Sequence, residues 1–284
     1  MVKVLRKVKG EPTEIYYDGK LQDLLDGFKK AIQKNRQSVV IVCDGRSGMG
    51  KSTFSNQVGK YLDLDFDLDN LHFTPDDFLT ALKNAKKGEM VILDEAMMLS
   101  NRASMSEINR AVVIAMSMIR SKCIYVVFNI NSAFDLDKNL ILHRADVLFH
   151  IYGESLIDRG RFTTFFRGQD GFDRLKFLYL LGKKFYDYSK PKSNFYGRFT
   201  KNFIVDEDEY EAKKQIGINK FLKLGFSKSN AKGMRHRNIL IRWIYNKKLL
   251  NLVEIGELLD LDASSIGYAV RKDEKEDGKD EILT

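Results

Sequence analysis

The chain has 284 residues and a mass of 32.8 kDa, more than one ordinary core requires and enough for about two domains. Hydrophobic residues make up 44% of it and charged residues 30%, with three prolines, a balance that excludes a disordered, collagen-like or disulfide-stapled chain. Its formal net charge is +8, and a pI near 9.2 favours a polyanionic partner without naming one.

The opening residues Met1 to Lys7 lack the apolar stretch of a signal peptide, and no run reaches the roughly 18 apolar residues of a spanning helix, so a cytoplasmic protein with no membrane partner is expected. Leu21, Leu24, Leu25, Phe28 and Ile32 recur at helical spacing after the capping residue Asp18 and predict a helix over 19–34. The run Ser38 to Cys43 is short, apolar and rich in β-branched residues, as a parallel strand covered on both faces should be. A glycine-rich turn and a second helical pattern follow, with Phe54, Val58, Tyr61 and Leu62 on one face. Leu62, Leu64, Phe66 and Leu68 then alternate with Asp63, Asp65, Asp67 and Asp69, the period of a strand with one wet face. A calcium loop would need glycine where Leu68 stands, so that reading is set aside.

Thr74 and Pro75 mark a helix start, Met90 to Leu93 another buried strand, and Ser104 or Ser106 the start of a longer helix. The strand Ile124 to Phe128, a short helix near 136–143 and the strand Val147 to Ile151 complete the series. Strands alternating with helices in this rhythm specify an α/β fold with a parallel sheet. Cys43 and Cys123 lie inside apolar runs and read as reduced core thiols. From Arg161 the pattern turns aromatic, with strands expected around a helix near 173–187, and past the acidic cluster Asp206 to Glu209 it turns helical. The expected domains are an amino-terminal segment and helix (1–36), a core with aromatic extension (37–205) and an all-α domain with a charged tail (206–284).

Gly45-Arg46-Ser47-Gly48-Met49-Gly50-Lys51-Ser52-Thr53 matches G-x-x-x-x-G-K-S/T and lies between a buried strand and a helix. Glycines let such a loop wrap phosphate oxygens, amides supply a positive field, the lysine reaches the outer phosphates and Ser52 ligates magnesium. Val91 to Leu93 deliver Asp94 to the sheet edge as a second magnesium-binding group, with Glu95 beside it placed to polarise a water. ATP and Mg2+ are therefore the expected cofactors.

With these motifs the chain resembles the additional-strand, catalytic-glutamate division of P-loop ATPases, which includes AAA+ proteins, RecA-like recombinases and viral DNA-packaging motors. The resemblance spans about residues 36–155. It implies hydrolysis by Lys51 and Glu95, with a polar sensor at the end of the intervening strand. Asn129 is the first candidate and Asn131 the second. It also implies oligomers or rings in which a neighbouring subunit lends an arginine. Arg144, ending a helix before the last core strand, is the first choice, with Arg102 and Arg120 as rivals.

Between Arg161 and Phe203 aromatic and basic residues interleave, which suits either strand packing or stacking on single-stranded nucleic acid, and packing is favoured. Residues 253–270 resemble a helix-turn-helix: Ile255, Leu258 and Leu259 form an apolar face, Gly256 allows close approach and Asp260 takes the turn. Ser264, Ser265, Tyr268 and Arg271 would point outward toward DNA, flanked by a basic stretch that includes Arg235, Arg237 and Arg242. The leading expectation is an ATP-hydrolysing protein that acts on DNA, preferably duplex, as translocase, packaging motor or loader. Two alternatives stand: a small-molecule kinase in which Asp76 or Asp77 activates a hydroxyl, and an ATP-switched DNA-binding regulator.

Overall fold

The computed structural model describes residues 2–8, 11–94, 107–154, 158–227, 241, 244–248, 250–259 and 261–271. The chain divides into two compact units, Met1–Lys220 and Phe221–Thr284.

The first unit opens with β1 (Val2–Val8) and β2 (Glu11–Tyr17), an antiparallel pair that the helical reading of the amino terminus had not included. The helix α1 (Gly19–Asn35) follows, capped by Asp18, whose carboxylate accepts from the amides of Lys20 and Leu21. Leu21, Leu25 and Ile32 of its predicted face are buried.

Then come β3 (Val39–Asp44), α2 (Lys51–Leu62), β4 (Leu71–His72), α3 (Pro75–Asn84) and β5 (Met90–Leu93). The next elements are α4 (Glu107–Met118), β6 (Tyr125–Ile130), α5 (Lys138–His143) and β7 (Val147–Tyr152). The unit is completed by β8 (Arg161–Phe166), α6 (Arg174–Gly182), β9 (Phe195–Arg198) and the long helix α7 (Glu207–Ser227), which runs past the unit boundary.

Seven strands form one sheet in the order β4-β5-β6-β3-β7-β8-β9. The first five are mutually parallel, and β8 and β9 add antiparallel. The molecule is thus mixed α/β with a mostly parallel sheet, compatible with a phosphate-loop core. Its central strand β3 is buried throughout. Val39, Ile41 and Cys43 join one hydrophobic cluster and Val40 and Val42 the other, because successive side chains of a strand face opposite layers. Strand β6 lies between β3 and β5, although β5 precedes it in sequence.

The strand expected over Leu62 to Leu68 is not formed. Aspartates outcompete the ladder there: Asp63 accepts from the amides of Asp65 and Met90, and Asp67 caps a 3-10 turn over Leu68–Asn70. Lys60 donates to the carbonyls of Leu64 and Phe66, and Leu64 stays exposed. Only Leu71–His72 remains as strand.

The aromatic extension proves largely structural. Phe54 of α2 packs against Phe149, Phe162 and Phe199 at centroid separations of 5.0, 5.0 and 5.1 Å. Gln57 donates to the carbonyls of Thr200 and Asn202, each at 2.8 Å. Tyr196 and Phe185, by contrast, lie exposed.

In the second unit α8 (Leu252–Leu259) and α9 (Ala263–Arg271) share a small core of Ile241, Ile255 and Ile266, with Leu259 and Leu261 against it. Among the described residues no helix is long and apolar enough to cross a membrane.

Truncating Phe54 to Ala should cost about 3–5 kcal/mol, the usual penalty for emptying a packed aromatic site. Chemical unfolding of the two proteins checks this, and a loss below about 1 kcal/mol would mean that the extension does not brace α2.

Candidate functional site

At the carboxyl end of β3 the chain turns at Gly45 with φ of 141°. A Cβ there would stand 2.1 Å from the Ile151 carbonyl oxygen, so only glycine lets the loop leave the sheet beside β7. Gly50 is left-handed as well and begins α2 without any side-chain cap, leaving the first helical amides facing the loop. Arg46, Ser47 and Gly48 are exposed, whereas Met49 anchors the loop in the core.

The β3 end is pinned from the other face of the sheet. Asp44 is fully buried; its Oδ1 lies 2.8 Å from His150 Nδ1, and its Oδ2 accepts from the Ala133 amide at 2.8 Å and from the Tyr188 hydroxyl. Tyr188 stacks on His150 with centroids 3.7 Å apart. Burial and the neighbouring Asp44 push the Tyr188 hydroxyl far above its ordinary range, so it stays protonated and donates.

The motif residues converge at the carboxyl edge. Lys51 folds back across the loop, its Nζ donating to the Gly45 carbonyl at 2.8 Å, the Arg46 carbonyl at 3.3 Å and Asn131 Oδ1 at 3.0 Å. Ser52 Oγ donates to Asp94 Oδ2 at 2.9 Å. Asn129 Nδ2 reaches Asp94 Oδ1 at 3.1 Å and Ser55 Oγ at 2.8 Å. Both sensor candidates therefore touch the site, Asn129 through Asp94 and Asn131 through Lys51. Asn129 Oδ1 is buried with no hydrogen-bond partner, an acceptor left over beside the Ser52–Asp94 pair.

Glu95, which follows Asp94 directly, lies outside the described residues, as do Arg102, Arg235, Arg237 and Arg242. Arg144 caps α5 just before β7, whose start lies beside the beginning of β3, and the Arg120 carbonyl bonds the Ser38 amide at that same amino edge. Neither arginine is brought to the phosphate loop of its own chain. In the second unit Ser264 and Ser265 stand exposed at the start of α9, their hydroxyls donating to Asp262. Tyr268 and Arg271 lie on the same helix.

Sequence reasoning missed the opposite wall. A cavity of about 230 Å³ is lined by the loop and the first turn of α2 on one side and by Arg159, Phe203, Tyr210, Glu211 and Lys214 on the other. Arg159 Nη1 donates to the Gly48 carbonyl at 2.8 Å. Tyr210 donates to Asp94 Oδ2 at 2.5 Å and lies 3.1 Å from Ser52 Oγ. No motif marks these residues; tertiary packing alone brings them to the loop.

The donor set fits magnesium nucleotide. Left-handed glycines leave room for phosphate oxygens, three cations border the cavity, and a serine hydroxyl sits on a carboxylate, an oxygen set of the kind magnesium prefers. Among the described residues no cluster of three His, Cys, Asp or Glu is placed for a metal held by protein alone. Cys43 is buried, and desolvation together with Asp44 keeps its thiol protonated.

No family model and no curated protein matches this chain. Among solved structures, the crystal structure of the N-terminal domain of zonular occludens toxin from Neisseria meningitidis is similar at 18% identity, over 45% of this chain and 83% of that one, with a TM-score of 0.30. A superposition at that level assigns neither fold nor activity to this chain.

His72, whose carbonyl holds the Asp94 amide, carries a pH signature. Burial, reinforced by Lys213 and opposed by Asp77 and Asp69, lowers its imidazole from 6.5 to about 4. Between those values the unfolded chain binds a proton that the folded chain refuses, so stability falls as pH drops through that window. Urea unfolding of wild type and His72→Gln from pH 7.5 to 4 should show wild type losing ground below about pH 6.5; a constant difference would contradict the buried neutral imidazole.

Proposed function

We propose that the chain is a magnesium-dependent ATPase of the P-loop type that acts on DNA. The observation that carries the reading is the strand order β5-β6-β3, which sets Asn129 between the phosphate loop and Asp94. That order is the one implied for the additional-strand, catalytic-glutamate division.

In this reading the amides of Gly48 to Lys51, Lys51 itself, Arg159 and Lys214 bind and neutralise the triphosphate, and Thr53 lines the same cavity. Magnesium held by Ser52 and Asp94 would polarise the terminal phosphate. Glu95 orients and deprotonates the attacking water, and Asn129 fixes Asp94 and offers its remaining oxygen to that water. Arg144, at the far edge of the sheet from its own loop, serves a neighbouring copy, so the active form is an oligomer.

Transfer to a small hydroxyl substrate is less favoured. Asp77, one of its two candidate bases, is engaged by Lys220 at 2.7 Å and by Thr74 at 2.6 Å; burial pushes its carboxyl up, but these bonds and the Lys220 charge together outweigh it and hold it below the usual range.

The second unit is the DNA-binding part. The apolar seam of Ile255, Leu259, Leu261 and Ile266 supports a helix-turn-helix, and Ser264 and Ser265 sit at the exposed start of the second helix, where they would reach DNA by exchanging their bonds to Asp262. Arg235, Arg237, Arg242 and Arg271 add charge, and Tyr268 a ring. Translocation, packaging and loading are all consistent with this arrangement.

Phosphate release from ATP, with and without duplex DNA, tests the reading. Wild type should release free phosphate without an added acceptor and release it faster with DNA, and Glu95→Gln should bind ATP but turn over at least ~100-fold more slowly. Unchanged turnover in Glu95→Gln would overturn the mechanism. Replacing Arg235, Arg237 and Arg242 together by Gln should lower the salt slope of DNA binding by roughly 2–3 while sparing ATP affinity; an unchanged slope would place the DNA surface elsewhere.

A further inference from the structure

The Ser52–Asp94 pair carries a third oxygen that no phosphate-loop motif includes. Tyr210 donates its hydroxyl to Asp94 Oδ2, the same atom that accepts from Ser52, so three oxygens from α2, the β5 end and α7 share one corner. Burial and the Asp94 charge push the Tyr210 hydroxyl far upward, so it sits there as a neutral donor.

Magnesium needs oxygens at about 2.0–2.1 Å and retains several of its waters. Ser52 can keep its hydrogen on Asp94 and still offer the ion an oxygen lone pair, and a carboxylate near such an ion accepts from a metal-bound water. Tyr210 already fills an accepting position on Asp94 Oδ2 of the kind such a water would use.

We propose that Tyr210 is a latch on the metal site: its hydroxyl stands in for a magnesium-bound water, and loading of magnesium nucleotide displaces it together with the first turns of α7. The inference rests on the magnesium-nucleotide reading above and adds to it a moving part.

The latch is built to hold and to release. Tyr210 packs edge-on against Phe73 and Phe203 at 5.4 and 5.0 Å, which aims the hydroxyl. Beyond it, α7 is tied by Lys213 to the Leu68 carbonyl at 2.8 Å and by Lys220 to Asp77 at 2.7 Å, the latter an exposed ion pair of modest strength. Lys214, one turn past Tyr210, already lines the phosphate cavity and would follow incoming charge.

The test is binding of a fluorescent ATP analogue to the full chain, wild type and Tyr210→Phe, with magnesium and with EDTA, together with hydrogen exchange of the α7 amides. Phenylalanine keeps the ring contacts and removes only the competing hydroxyl. With magnesium, Tyr210→Phe should bind roughly tenfold more tightly, the equivalent of one lost hydrogen bond to a charged group; with EDTA the two should bind alike. In wild type, amides 208–214 should exchange faster with magnesium and analogue than with analogue and EDTA. Equal or weaker magnesium-dependent binding by Tyr210→Phe, or α7 amides indifferent to magnesium, would overturn the latch while leaving the nucleotide reading intact. Failure of wild type to bind the analogue under either condition would overturn that reading, and the latch with it.

Discussion

A carboxylate buried at a sheet edge must be met by donors, because an uncompensated buried charge costs several kcal/mol. Asp94 is 2% exposed, and the site is organised around meeting that demand. Ser52 comes from the start of α2, Asn129 from β6 and Tyr210 from α7, three segments far apart in sequence that converge on two oxygens. Each convergence fixes a larger element: α2 against the sheet, β6 between β3 and β5, and α7 over the loop. An ion brought to this corner meets donors that already hold its ligands in place, and it need only exchange partners with them.

The second constraint is the narrow exit from β3. Gly45 passes so close to the Ile151 carbonyl that a side chain has no room, and Asp44 immediately before it is held by Ala133, His150 and Tyr188. The loop is thereby fixed at its base while its crown stays exposed. On the α2 side the aromatic extension performs a similar task, with Phe199 against Phe54 and close to Gly50, and Gln57 bonded to the segment that follows β9. These rings act in packing; the exposed Tyr196 and Phe185 are the members of the extension not absorbed by it.

How much of this was legible in the sequence depended on whether the signal was local. The buried strands β3, β5, β6 and β7 announce themselves as short β-branched runs, and the loop by its glycines and Lys51-Ser52. Of the strand order only the placing of β6 between β3 and β5 was implied, and by the resemblance alone, since which strand lies beside which is a tertiary fact. Period-two alternation misled at Leu62 to Leu68, where aspartate side chains capture backbone amides and replace the ladder by turns. The β1–β2 pair carries too many charges in its first strand, Lys3, Arg6 and Lys7, to resemble a core strand. Arg159, Tyr210 and Lys214 had no signal at all, since each becomes part of the site only when the chain beyond β7 folds back over the loop.

On the proposed function, the carboxyl edge of the sheet from Gly45 to Asp94 takes up magnesium nucleotide. Calorimetric titration of ATP with magnesium into wild type and Lys51→Ala tests it most directly. Wild type should bind saturably and one-to-one, and affinity should fall at least ~100-fold when the lysine that bridges the loop is removed. Equal affinity in the two proteins, or no heat of binding in wild type, would contradict it.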